Sequence, residues 1–421
     1  MTTSTLDATR PALKTRTSRE LAARAYTIAL PFLFLVLALL IFPNPLTPFG
    51  MVGVLAILAV RWFAFGSPFP KTKINGLLLV FLTFFAFGLI ISAKQDTAWM
   101  IASYALGGIL VFVSIVDRAD NTTHLLAAMG VMVLLGALFA FGAPFAAQWS
   151  GATGFNFSEL TTRYFPLLAR PSNVNNVAGA IEVAVPFALA LIAAQRKPWN
   201  IVGAFALAPL LLMLVLLQSR GAWLAVLMGL VVYATLYRRW ILPFVPLVLL
   251  GGLYLNNAFG DPFPTQAIGG ETREVVTLGD RTAIWQEAAR VWLRSPLVGI
   301  GVNGFAAYGA PIVGFDTGEY ELRGNHAHNV LIQVTLDTGI IGGIAFAGMI
   351  AVALLAAWRV YRRAEIHSTE RALAIGLLSA FAIILTHGLF DTIFWGFKAG
   401  IFLWGTLAFA LQTDVLEALE V

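Results

Sequence analysis

The sequence predicts an all-α polytopic membrane protein of about twelve transmembrane helices, with a large extracytoplasmic loop that contains an interfacial helix. Three observations carry this prediction. Of 421 residues, 59% are hydrophobic and only 12% are charged, too apolar a balance for a soluble domain. Apolar runs recur at about the 20-residue length that crosses a bilayer. The Lys and Arg residues gather in the short loops on one side, as cytoplasmic loops do.

Residues 1–24 form a basic tail carrying Arg10, Lys14, Arg16, Arg19 and Arg24, ahead of a first apolar run at 26–42. No small-residue cleavage site follows that run, so it reads as a retained span. Runs at 50–65, 76–93, 97–116 and 124–147 come next, and then a long outer loop, 148–176. Spans at 177–194, 200–217, 221–237 and 240–256 lead to a second and longer outer loop, 257–337. Runs at 338–358, 372–390 and 396–412 end the membrane portion, so 25–421 reads as one domain. Placing both termini inside puts most of the 27 Lys and Arg residues in or beside the cytoplasm. The expected location is the cytoplasmic (inner) membrane, with the functional face outside. The net charge of +5 follows this topology and implies no nucleic-acid partner. The absence of cysteine excludes disulfides and thiolate metal sites.

The second outer loop carries a helix signal of its own. Asp280 can cap a helix over 281–294, stopped by Ser295-Pro296, with an apolar stripe of Trp285, Ala288, Val291 and Trp292. Such a helix suits the membrane interface, where tryptophan is favoured. Arg281 stands four residues before Trp285 in the first helical turn, where it either helps the helix end to hold a phosphate or snorkels to the surface. The run Gly299-Ile300-Gly301-Val302-Asn303-Gly304 could wrap an anion with backbone amides. No strand leads into it, and a turn between two surface segments is the favoured reading.

The chemistry-bearing residues sit next to spans on the outer side. Gly324-Asn325-His326-Ala327-His328-Asn329 places two of only five histidines just before an apolar run. Two histidines with neither cysteine nor a carboxylate at ligand spacing are weak grounds for a metal. An imidazole with an ordinary pKa of about 6.5 suits proton abstraction instead. Gln218-Ser219-Arg220-Gly221 sets Arg220 at the outer mouth of the membrane, as an interfacial anchor or a functional cation. Arg170-Pro171-Ser172-Asn173-Val174-Asn175-Asn176 ends the first outer loop, and its asparagines read as helix caps. Glu182 lies within an apolar run and needs a partner, for which Arg220 and Arg170 are candidates. His387 and Asp391, four apart, share a helix face. They either orient a catalytic group or satisfy one another, and the second reading is preferred.

The order of these pieces resembles the O-antigen ligase and polymerase superfamily. The residues that carry the resemblance are Ser219-Arg220-Gly221, Arg281 with Trp285, Pro296-Leu297 with Gly299 and Gly301, and His326-Ala327-His328-Asn329 leading to Gly339, Gly342 and Gly343. The resemblance implies a metal-independent, cofactor-free, inverting glycosyltransferase that uses a glycan carried on undecaprenyl diphosphate and an acceptor on lipid or glycan. It assigns His328 as the base, with Arg220 and Arg281 stabilising the departing diphosphate. Arg170, His326 and Asn329 are then expected to help bind substrate. A polysaccharide polymerase of the same superfamily, a small-anion transporter and a non-catalytic export component remain as alternatives.

Overall fold

A computed structural model describes residues 10–28, 31–41, 45–148, 172–244, 247, 250, 266–268, 271–273, 278–308 and 326–420. The helices are α1 (Arg10–Ile28), α2 (Pro31–Ile41), α3 (Thr47–Phe65), α4 (Asn75–Ile90), α5 (Gln95–Arg118), α6 (Thr122–Ala146), α7 (Val174–Glu182), α8 (Ala184–Ala194), α9 (Trp199–Leu216), α10 (Arg220–Tyr237), α11 (Leu278–Trp292), α12 (Phe305–Tyr308), α13 (Val330–Arg363), α14 (Thr369–Gly388) and α15 (Gly400–Glu420). The strands are very short: β1 (Ala147–Gln148) pairs in parallel with β2 (Ser172–Asn173), and β3 (Gln266–Ile268) antiparallel with β4 (Glu271–Arg273).

Among the described residues, nine segments are long and apolar enough to span a membrane, α7 and α8 together forming one of them. The all-α polytopic fold is as the sequence predicts, while the expected count of about twelve is not reached among these segments. The first expected span divides into α1, which continues through the basic tail, and an 11-residue α2. The expected run at 240–256 begins as a 3-10 helix, Arg239–Phe244, and then falls almost wholly outside the described residues. The expected final span begins at Gly400 rather than Gly396, which leaves 389–399 as irregular backbone.

Burial separates inner from outer helices. The spanning window of α15 is 89% buried and those of α5 and α14 are 78% buried, against 22% for α3 and 28% for α9. The outer helices turn Phe49, Leu55, Phe205 and Leu212 outward, which suits a lipid-facing surface. Around the central helices, α15 packs on α5 and α13, α14 on α10 and α8, and α13 on α4. Two carboxylates, the half-buried Asp117 and the buried Asp414, anchor the end opposite the candidate site. The Arg61 guanidinium grips both oxygens of Asp117 at 2.6 and 2.7 Å, and on α15 Asp414 receives Arg359 at 3.1 Å together with Lys73.

A break in α13 organises the other end. Gly339 stands at φ 72° and ψ 178°, interrupting the helical ladder. The glycine run fills the interruption: Ile300 N–H donates to Leu336 O at 2.8 Å, and Ile340 N–H donates to Pro296 O at 2.9 Å. Val302 N–H reaches Gly88 O of α4 at 2.9 Å, and Asn303 N–H reaches Asp337 Oδ1 at 3.0 Å. These amides are therefore committed to the protein rather than to an anion. The sequence reading of a turn between surface segments is also corrected, because Gly299, Ile300, Gly301 and Val302 are all buried. Glycine is required at 339, where a Cβ would stand 2.1 Å from Leu297 O at a left-handed φ. Asp337 accepts in addition from Gln333 Nε2 at 2.9 Å and Trp395 Nε1 at 2.7 Å, so this buried carboxylate is fully engaged in holding the break.

Candidate active site

Four pieces of chain meet where α13 begins and α14 ends. Asn329 caps α13 by accepting Ile332 N–H at 3.0 Å, and its own amide donates to Leu389 O at 3.2 Å, tying the two helix ends together. Just before that cap, Ala327 N–H donates to Gln333 Oε1 at 2.8 Å. Ala327 O accepts Trp285 Nε1–H at 2.9 Å. The backbone between the two histidines is thus pinned from both sides, and Trp285 acquires a definite task.

Trp285 belongs to α11, which starts at Leu278, so Asp280 lies inside the first turn rather than capping the helix from outside. Its apolar stripe packs on protein: Ile284, Ala288 and Val291 bury against Ile300, Phe305, Ala327 and Leu336. This second small core presses the helix and the glycine run onto the mouth of the bundle. It also carries Arg281 to the site, with the guanidinium 5.7 Å from the Phe390 ring centroid.

His326 and His328 stand with ring centroids 4.1 Å apart. His328 holds φ 47°, an uncommon conformation outside glycine and one found at functional sites more than elsewhere. Its Nδ1 faces Asp391 Oδ1 at 3.8 Å. Asp391 sits at the head of the irregular 389–399 segment, which is held deep in the bundle by Trp395 packing on Phe81, Phe85 and Phe346 at 5.5, 5.2 and 5.9 Å between centroids. Burial first, then the neighbouring His326 ring, pushes the pKa of His328 down to about 4; Asp391 opposes this and Arg281 adds to it. Burial likewise lowers that of His326. Both rings are therefore neutral near pH 7. For Asp391, burial works against ionisation, but His326, His328, His387 and the Thr392 N–H together outweigh it and hold its pKa below the ordinary carboxylate range.

His387 and Asp391 do not satisfy one another. His387 Nδ1 pairs with Glu182 Oε1 at 2.8 Å, both groups being fully buried, while Asp391 turns to His328. Glu182 thus finds a histidine as its partner, which the sequence reading did not offer. The other edge of His387 packs on Gly221, where a Cβ would come within 2.8 Å of Nε2. That contact seats the start of α10, with exposed Arg220 as its first residue, beside the cluster. Arg170 lies outside the described residues. The structure therefore brings His326, His328, Asn329 and Arg281 together, sets Arg220 at the same end of the bundle, and adds Asp391.

Asp391 is the residue that the sequence reading places in the wrong company. Chain distance from the histidines conceals it, although an acid inside the apolar stretch Leu389-Phe390-Asp391-Thr392-Ile393-Phe394-Trp395 is itself a signal. Asp391 also supplies the carboxylate that a metal reading lacked. One ligand atom each from His326, His328 and Asp391 lies within 4.8 Å of the others, so these three could hold a cation.

Fold and site together define a polytopic membrane protein with a histidine–carboxylate pair and nearby arginines at one end of its helix bundle. Residues 204–347, about a third of the chain, match the family model described as O-antigen ligase, which supports the O-antigen ligase superfamily and a membrane enzyme of ligase or polymerase type. The matched region contains Arg220, Arg281, His326 and His328, whereas Asp391, His387, Glu182 and Asn175 lie outside it. No curated protein matches the chain.

Proposed function

We propose that this chain is a metal-independent, inverting glycosyltransferase that moves a glycan from undecaprenyl diphosphate to an acceptor hydroxyl at the outer face of the cytoplasmic membrane. The observation that carries the reading is the facing of His328 and Asp391 beside Arg281 at one end of the bundle. The Asp391 charge, 3.8 Å away on the Nδ1 side, favours the Nδ1–H tautomer electrostatically, which leaves the Nε2 lone pair to take the acceptor's proton. As the hydroxyl oxygen bonds to the anomeric carbon, the bond from that carbon to the diphosphate breaks. Arg281 and Arg220 receive the developing negative charge, for which a planar, permanently charged guanidinium is suited. In this scheme Arg170 adds a further cation on the donor side and His326 borders the substrate. Asn329 acts where the substrate meets His328, by fixing the start of α13.

Two acceptor classes fit: a lipid-anchored saccharide, making the enzyme a ligase, or a growing glycan, making it a polymerase. The clustering of the polar groups at one bundle end favours transfer over transport, because transporters place their substrate sites near the bilayer midplane. The test is purified protein in liposomes given a radiolabelled glycan on undecaprenyl diphosphate, with each acceptor class and a chelator present. Transfer by wild type that is lost in His328→Ala and Arg220→Ala supports the reading. Wild-type protein that moves anions across the liposome and transfers nothing to either acceptor overturns it.

A further inference from the structure

Asp391 faces His328 at 3.8 Å, and the hydrogen bonds around it form a chain that crosses three elements. Asp391 Oδ1, the oxygen facing His328, accepts Thr392 N–H at 2.7 Å. Asp391 Oδ2 accepts Asn175 Nδ2 of α7 at 3.1 Å. Asn175 Oδ1 accepts the hydroxyl of Ser219 at 2.8 Å. Ser219 Oγ in turn accepts Ala222 N–H at 3.3 Å, capping the helix that begins with Arg220. We propose that Asn175 and Ser219 are positioning residues that hold Asp391 in register with His328 and couple that register to the seat of Arg220.

The donor and acceptor pattern supports a dedicated role. A carboxylate can only accept, so Asn175 must present its NH₂ to Asp391, which turns its carbonyl toward Ser219; the reverse orientation would break the bond to Asp391. With the Asn175 carbonyl facing it, Ser219 donates its proton to Asn175 while its oxygen accepts from the cap amide of Ala222. The cap of α7 is Asn173, whose side chain accepts Asn175 N–H at 2.8 Å, so the Asn175 side chain is not needed for capping. Ser219 is 2% exposed and Asp391 6% exposed. Asn175 between them is half-buried, so the chain is anchored at two buried ends that hold the orientation of the amide.

The proposal rests on the reading of His328 as the base. Its test is a double-mutant cycle on the full-length protein in liposomes, using Asn175→Ala, Asp391→Asn and the double variant, with transfer measured from the undecaprenyl-diphosphate donor. If Asn175 acts through Asp391, Asn175→Ala lowers kcat about tenfold with KM for the donor little changed, and causes no further loss once Asp391 is already Asn. Ser219→Thr, which keeps the hydroxyl, should restore most of the kcat lost in Ser219→Ala. An Asn175→Ala loss of equal size in both backgrounds, or none in folded protein, overturns the proposal. Histidine-labelled NMR, with the His328 resonance assigned through His328→Gln, supplies a readout independent of transfer. A His328 signal that shifts in Asn175→Ala supports the restraint even if wild type transfers nothing, which would sink the transferase reading alone; an unmoved signal rejects the restraint.

Discussion

Replacing Asp391 by Asn keeps the shape of the side chain and removes its charge, so it isolates the electrostatic part of the proposed base. As His328 takes a proton it becomes a cation facing Asp391 Oδ1, 3.8 Å from its Nδ1. At about 4 Å, two unit charges attract by about 1 kcal/mol in bulk water and about 4 kcal/mol at an effective dielectric of about 20. Losing that attraction in the transition state corresponds to a fall in kcat between about fivefold and about a thousandfold. The pair is mostly shielded from solvent, with side-chain exposures of 21% and 9%, which favours the upper part of that range. The donor KM should change little, because Asp391 is assigned no contact with the diphosphate. The assay is steady-state glycan transfer in liposomes, with circular dichroism to check folding. A folded Asp391→Asn protein with wild-type kcat would refute the pairing, and a rise in KM alone would move Asp391 from catalysis to binding.

Trp285→Phe removes the N–H that holds Ala327 O and should lower kcat several-fold to about tenfold while the apolar packing of α11 survives, a split that kinetics and thermal melting together reveal. Gly339→Ala forces a Cβ to within 2.1 Å of Leu297 O at φ 72°, and should destabilise the protein by about 2 kcal/mol or more, read as a lowered melting temperature in detergent. Because His328 must be neutral to act, kcat/KM should hold above its lowered pKa and fall as the pH drops through about 4. In the donor complex the diphosphate anion raises that pKa, so the acid limb of kcat should lie at higher pH. A chelator should leave transfer intact, whereas added zinc should inhibit by capturing His326, His328 and Asp391.

Much of the fold can be read from composition, because a lipid-facing helix must be apolar over a fixed length and its backbone must satisfy itself. The runs at 200–217 and 221–237 correspond closely to α9 and α10 for this reason. The features that escape such a reading are those set by tertiary contacts. In sequence Gly339 is an ordinary glycine of a glycine-rich span, yet it breaks α13 and receives the glycine run that follows Pro296. The stripe of α11 is visible, but its partner is not: Ala288 and Val291, with Trp285 and Trp292 against them and Ile284 added, pack on protein where the sequence suggests an interfacial setting. Within the site, His326, His328, Arg281 and Arg220 are conspicuous as polar groups beside apolar runs. Helical spacing assigns Asp391 to His387, but α14 stops at Gly388 and the chain then turns Asp391 toward His328. Periodicity cannot report where a helix ends inside a membrane when the segment beyond it is just as apolar.

The central claim is that His328 performs chemistry on a donor held by other groups. The measurement that tests it most directly compares donor binding with single-turnover transfer in His328→Ala and wild type, using the same labelled undecaprenyl-diphosphate glycan. The account predicts an unchanged Kd with transfer slowed at least about a hundredfold, the scale of a lost general base. Transfer at the wild-type rate by a folded His328→Ala protein would contradict it.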